Sequence, residues 1–148
     1  MKNTTIFFDM DGTIANLYGV DGWLDYLDKF DAFPYENAKA LLNLQVLARM
    51  LNKLQRKGYR IEIISWLSKN SNENYDALVT GAKLAWLSEH LHSVHFDAIN
   101  IVSYGVCKDT FRHDEDDILF DDEECNRNNW GGISFDVHNI IKVLKGLS

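Results

Sequence analysis

Two carboxylates two residues apart, followed by glycine, make up the most chemically loaded segment of the chain, Asp9-Met10-Asp11-Gly12-Thr13. The apolar run Ile6-Phe7-Phe8 precedes it, so both acids fall where a strand gives way to a turn. One acid of such a pair can serve as nucleophile while the other moves a proton. Gly12 lets the chain turn sharply, and backbone N–H groups exposed in such a turn receive anions. A calcium loop competes for the same letters. It wants an acid or amide at position five, glycine at six and glutamate at twelve. Counted from Asp9 these are Thr13, Ile14 and Val20, and the calcium reading fails.

Three further features share this placement. Asp121 and Asp122 end the apolar run Ile118-Leu119-Phe120. Adjacent carboxylates there repel and raise each other's pKa unless a cation meets them. The other acids of residues 113–124 (Asp114, Glu115, Asp116, Asp117, Glu123 and Glu124) read as a solvated loop. Ser65 finishes the run Arg60-Ile61-Glu62-Ile63-Ile64, where its hydroxyl and the backbone N–H of Trp66 are suited to a phosphoryl oxygen. Lys108 stands between the third and fourth apolar runs, upstream of Asp121.

These residues need a frame that brings them together. Strands are expected over residues 4–9, 60–65, 96–103, 117–121 and 133–137, the β-branched ones suiting a buried sheet. Helical spacing appears over residues 37–57 (Leu41, Leu44, Leu47, Ala48, Leu51, Leu54), 72–91 (Tyr75, Leu78, Val79, Ala82, Ala85, Trp86) and 139–147. Glu62 is the discordant residue of its strand, at an edge or facing a charge partner. Alternation with long crossovers indicates an α/β fold, a doubly wound, Rossmann-like parallel sheet of about five strands with helices on both faces. Ligands of such sheets bind beyond the carboxyl ends of the strands, where strand order reverses. The strand-ending residues are Asp9, Ser65, Ser103 and the Asp121–Asp122 pair.

Composition sets outer limits. With 148 residues, 46% hydrophobic and 25% charged, the chain reads as one globular domain over residues 1–148. No apolar run is long enough for a bilayer, and the first residues lack the pattern of a signal peptide, so a soluble, cytoplasmic protein is expected. Cys107 and Cys125 fit a reduced compartment. A net charge of −7 argues against generic nucleic-acid binding, while a bound cation leaves a phosphorylated small molecule open as substrate.

In this order and at these strand ends, the motifs resemble those of the haloacid dehalogenase-like (HAD) superfamily. Asp9–Thr13 matches its D-x-D-G-[TV] motif, Ser65 its strand-ending hydroxyl, Lys108 its lysine, and Asp121 with Asp122 its acid pair. The resemblance implies a Mg²⁺-dependent phosphomonoester hydrolase working through an aspartyl-phosphate. Asp9 would be the nucleophile and Asp11 the acid and base, with Ser65 and Lys108 completing the catalytic set. Phosphate would be held by Met10, Gly12, Thr13, Ser65, Trp66 and Lys108. The metal would be held by Asp9, Asp11 and the Asp121/Asp122 pair, with Asp122 favoured as the direct ligand. The resemblance implies that the second acid, Asp11, marks phosphatases and phosphotransferases rather than dehalogenases.

Residues 14–36 form a small cap-like insert with a short helix over 21–30. Its aromatics (Tyr18, Trp23, Tyr26, Phe30, Phe33, Tyr35) either stack a nucleobase, as in a 5′(3′)-nucleotidase-like branch, or fill the space between insert and core. Other readings are a phosphatase of phosphorylated polymer ends or proteins, and an idle HAD-like or receiver-like regulatory module. Receivers carry their acid pair first and the phosphorylated Asp later, the reverse of the order here.

Overall fold

The computed structural model describes residues 3–148; Met1 and Lys2, which open the segment read above for an export signal, lie outside them. In chain order the elements begin with β1 (Thr5–Phe8), β2 (Ala15–Asn16), α1 (Trp23–Asp28), α2 (Phe33–Asn37), β3 (Lys39–Ala40) and α3 (Leu44–Arg56). They continue with β4 (Arg60–Trp66), α4 (Glu73–His90), β5 (Ala98–Val102), β6 (Ile118–Phe120), α5 (Glu124–Asn129), β7 (Ile133–Phe135) and α6 (Ile140–Leu147). Short 3-10 turns occupy Leu17–Gly19, Lys108–Phe111 and Val137–Asn139.

Five parallel strands form the main sheet in the order β5-β4-β1-β6-β7. The chain winds outward from β1 through β4 to β5, then returns to place β6 on the other side of β1. The reversal therefore lies between β1 and β6, the strands that end in the two acid pairs. On one face, Ile6, Phe8, Ile61, Ile63, Ile118 and Phe120 pack with Leu47, Leu51 and Leu54 of α3, Trp86 of α4 and Ile140 and Leu144 of α6. Each such side chain taken fully out of water contributes roughly 1.5–3 kcal/mol. The alternate residues Phe7, Ile64 and Leu119 pack against Trp130, which follows α5, as the two-residue strand period requires. Among the described residues, no helix is long and apolar enough to cross a membrane.

The insert is a second, smaller layer. Its root is the antiparallel pair β2–β3, and its Leu17, Leu27, Ala32 and Tyr35 pack on Tyr75, Val79 and Ala82 of α4.

Several sequence expectations need correction. The helix expected over 37–57 starts only at Leu44, because the Asn43 side chain caps it and Lys39–Ala40 pair with the insert root. Leu41 is consequently exposed rather than part of the helix face. On α4, Leu78 and Ala85 point outward while Lys83 points inward. A second short helix, α2, stands in the insert where a loop is expected, and α5, over which the sequence reading places no element, follows the Asp121–Asp122 pair. Glu62 sits on an interior strand, 3% exposed, where Arg60, Asn100 and His113 meet it. Asp117 is not solvated: it is fully buried and accepts backbone N–H groups from Thr5, His113 and Asp114 at 2.8–2.9 Å.

Candidate active site

The parallel register pairs Phe8 with Phe120, so Asp9 and Asp121 leave their strands side by side. The Asp9 N–H donates to the Phe120 carbonyl at 3.0 Å, the last rung before the turn. Beyond it the chain folds back on itself: the N–H groups of Thr13, Ile14 and Ala15 all reach the Met10 carbonyl at 3.0 Å. Gly12 occupies this turn at φ +81°, and a Cβ there would lie 2.3 Å from Asp122 Oδ2. Glycine is needed twice, for the left-handed backbone and for the room Asp122 takes.

Lys108 stands at the centre of the charged cluster. Its ammonium, 4% exposed as a residue, donates to Asp9 Oδ1 at 2.9 Å and to Asp121 Oδ2 at 2.7 Å, and lies over the Trp66 ring. Burial disfavours its charge, but the Asp9 and Asp121 carboxylates outweigh burial and hold it above the ordinary lysine range. Thr13 donates to Asp9 Oδ2 at 3.0 Å and accepts from the Asp122 N–H at 3.2 Å, tying the first motif to the last.

Both carboxylate oxygens of Asp121 are committed, Oδ1 to the Glu123 N–H and Oδ2 to Lys108 and the Asn126 amide. Asp122 has weaker partners and faces Asp9. Burial, then the Asp9 charge, pushes the pKa of both Asp121 and Asp122 upward. Asp11 is likewise raised, by burial first, with the Lys83 ammonium opposing it.

This donor set fits a divalent cation. Carboxylate oxygens of Asp9, Asp121 and Asp122 lie within 4.8 Å of one another. At that separation each ionised pair repels by about 3 kcal/mol for an effective dielectric near 20. Four carboxylates (Asp9, Asp11, Asp121, Asp122) against two buried ammonium groups (Lys83, Lys108) leave two negative charges, the complement of Mg²⁺. Hard oxygen ligands suit that ion, and Asp122 is the less committed member of the late pair.

A cleft of about 290 Å³ opens above these groups. Asp9, Asp11, Trp66 and Lys108 reach its wall, and Tyr18, Trp23 and Tyr35 of the insert line it together with Tyr104. Not every expected phosphate ligand is presented to it. The Gly12 N–H is taken by the Ala15 carbonyl at 2.8 Å and Thr13 is sealed off, while the Met10 side chain is in the core, which does not bear on the role expected of its backbone N–H. Ser65, also sealed off, accepts a hydrogen bond from Lys83. Ser103, at the end of edge strand β5, is exposed away from the cleft. Lys83 itself escaped the sequence reading. Its signal was a lysine among Val79, Ala82, Trp86 and Leu87, the buried stripe of α4.

No family model matches the sequence, and no curated protein matches it. The solved structure of D,D-heptose 1,7-bisphosphate phosphatase from Burkholderia thailandensis is similar over 88% of this chain and 75% of that one, at 14% identity and a TM-score of 0.55. The chain has a haloacid dehalogenase-like fold. Two other structures match less well. One is a Pnkp1/Rnl/Hen1 complex, at 19% identity and a TM-score of 0.49 over 93% of this chain and 47% of that one. The other is the HAD domain of the Legionella pneumophila effector protein Lem4, at 15% identity and a TM-score of 0.42 over 90% and 84%. In the haloacid dehalogenase-like fold of this chain, both acid pairs lie at the reversal point of the sheet, beneath the cleft.

Proposed function

We propose that this chain is a Mg²⁺-dependent phosphomonoester hydrolase that works through an aspartyl-phosphate on Asp9, with residues 14–36 as a small cap. The observation that carries the reading is the Asp9 carboxylate at the cleft wall, paired with Lys108 at 2.9 Å and facing Asp122, with Asp11 two residues on.

A carboxylate approaching a phosphoryl dianion is repelled, so the site must supply positive charge before attack. Asp9, Asp122 and the Asp11 carbonyl would hold Mg²⁺, which supplies charge neutralisation at the phosphoryl group when bound. Lys108 orients Asp9 and adds a fixed positive charge beside the transferring group, and the Trp66 N–H would donate to a phosphoryl oxygen. Asp9 forms an O–P bond as the bond from phosphorus to the leaving oxygen breaks, and Asp11 gives that oxygen its proton. Asp11 then takes a proton from water, whose oxygen attacks phosphorus and returns Asp9 to a free carboxylate with release of phosphate. Asp9→Asn is expected to abolish Mg²⁺-dependent release of p-nitrophenol from p-nitrophenyl phosphate while circular dichroism stays native. Near-full activity of that variant would sink the assignment.

Nucleoside monophosphates are the substrates this cleft favours. Of the six insert aromatics, Tyr18, Trp23 and Tyr35 line it together with Trp66 and Tyr104; Tyr35 is itself packed on α4, which leaves Tyr18 and Trp23, edge-on to each other, as the stacking surface. The rest are occupied elsewhere: Tyr26 stacks on Phe33 and Phe30 packs edge-on against Tyr75. Base stacking on such rings is worth roughly 1–3 kcal/mol. A screen of nucleotides, sugar phosphates and 3′-phosphorylated oligonucleotides tests this; rejection of all small substrates would favour polymer ends.

A further inference from the structure

Lys83 is a buried cation that the mechanism above does not use. It lies in the middle of α4 with its side chain 0% exposed. Burying an ammonium is strongly unfavourable unless partners replace its water. Here all three of its donors are spoken for, by Asp11 Oδ2 at 2.8 Å, Ser65 Oγ at 2.5 Å and the Trp66 carbonyl at 2.8 Å. The Tyr35 ring of the insert closes over it at 5.2 Å. No donor remains for a phosphate oxygen, so Lys83 acts on the protein rather than on substrate. Ser65, fully buried, has its oxygen on Lys83 instead of in the cleft.

We infer that Lys83 is a positioning residue for proton transfer. The Ser65 hydroxyl and the Trp66 carbonyl hold its ammonium, and the ammonium clamps one oxygen of Asp11, so that the other is kept in place for the leaving group. Ser65 thus serves Asp11 through Lys83 rather than holding phosphate. The inference rests on the phosphatase reading, with Asp11 as the proton donor.

Leaving groups separate the two roles. A p-nitrophenolate departs without a proton, whereas an alkoxide needs one, and positioned general acids contribute about 10²–10⁴-fold. Lys83→Met is expected to slow glycerol 2-phosphate hydrolysis by about 100-fold or more, and p-nitrophenyl phosphate hydrolysis by less than about 10-fold. Ser65→Ala is expected to shift the two substrates in the same unequal sense, with inhibition by inorganic phosphate unchanged. Equal losses on both substrates for Lys83→Met would overturn the inference. So would a Ser65→Ala variant that loses both activities equally and binds inorganic phosphate more weakly. If Lys83→Met does not fold, Lys83→Gln and Ser65→Ala decide the matter by the same ratio. A wild-type protein that hydrolyses neither substrate would refute the phosphatase reading itself, a result distinct from equal loss in an active background.

Discussion

Gly12→Ala puts the most demanding load on the site for the smallest chemical change. The added methyl meets Asp122 Oδ2 at 2.3 Å and Tyr18 Cε2 at 3.0 Å, where ordinary contact begins near 3.4 Å. The Asp122 carboxylate must retreat by about 1.1 Å, because the turn behind it is pinned by three N–H groups on one carbonyl. A left-handed conformation at a residue with a Cβ adds about 1–2 kcal/mol of strain. For a chain of this size that lowers Tm by roughly 2–8 °C. The functional loss should be larger than the structural one. A misplacement of about 1 Å at a reacting centre can cost on the order of 10²-fold in rate. Isothermal titration with Mg²⁺ alone reads the displaced ligand directly, and calorimetric unfolding without metal reads the strain. Weaker Mg²⁺ binding with a modest fall in Tm is expected. Unchanged Mg²⁺ affinity would refute the placement of Asp122 in the metal site, whatever happened to activity.

Three other outcomes follow from the same geometry. Without metal, Asp11, Asp121 and Asp122 have raised pKa values, so above the ordinary carboxylate range near pH 4 the native state holds more protons than the unfolded chain. Metal-free stability should therefore fall as pH rises from about 5 to about 8, and saturating Mg²⁺ should flatten the slope; a rising metal-free curve would contradict the repulsion described here. Asp117→Ala strips one buried and two half-buried backbone N–H groups of their acceptor and should cost roughly 2 kcal/mol or more in urea unfolding, whereas a loss below about 1 kcal/mol would show that water replaces the carboxylate. Trp23→Ala should raise KM for nucleoside monophosphates by about 5- to 100-fold while leaving glycerol 2-phosphate unaffected, and equal effects on both would remove the stacking role.

The parts of the molecule legible in sequence are those governed by local pattern. Apolar runs ending in Asp9, Ser65 and Asp121 mark strands that the sheet does contain, because a parallel strand buried on both faces must be apolar along its length. Lys83 was illegible for the converse reason. Helical periodicity assigns Leu78 to the buried face and says nothing for a lysine, yet a site with four carboxylates repays burying an ammonium more than a leucine. Asp117 was read as solvated because it adjoins other acids, while three converging backbone N–H groups, one of them 112 positions away at Thr5, decide its fate. The late start of α3 followed from long-range pairing too, since Lys39 and Ala40 give up helix for Asn16 and Ala15.

The two-residue ladder between Ala15–Asn16 and Lys39–Ala40 has an architectural consequence. The insert's whole share of the cleft wall enters and leaves through this narrow doorway, immediately downstream of the loop that carries Asp9 and Asp11. A longer, shorter or wholly foreign segment can be spliced between its two posts without rethreading the sheet. On the proposed function, the residues that meet the substrate from this side could be exchanged as a cassette while the strand ends beneath stay put.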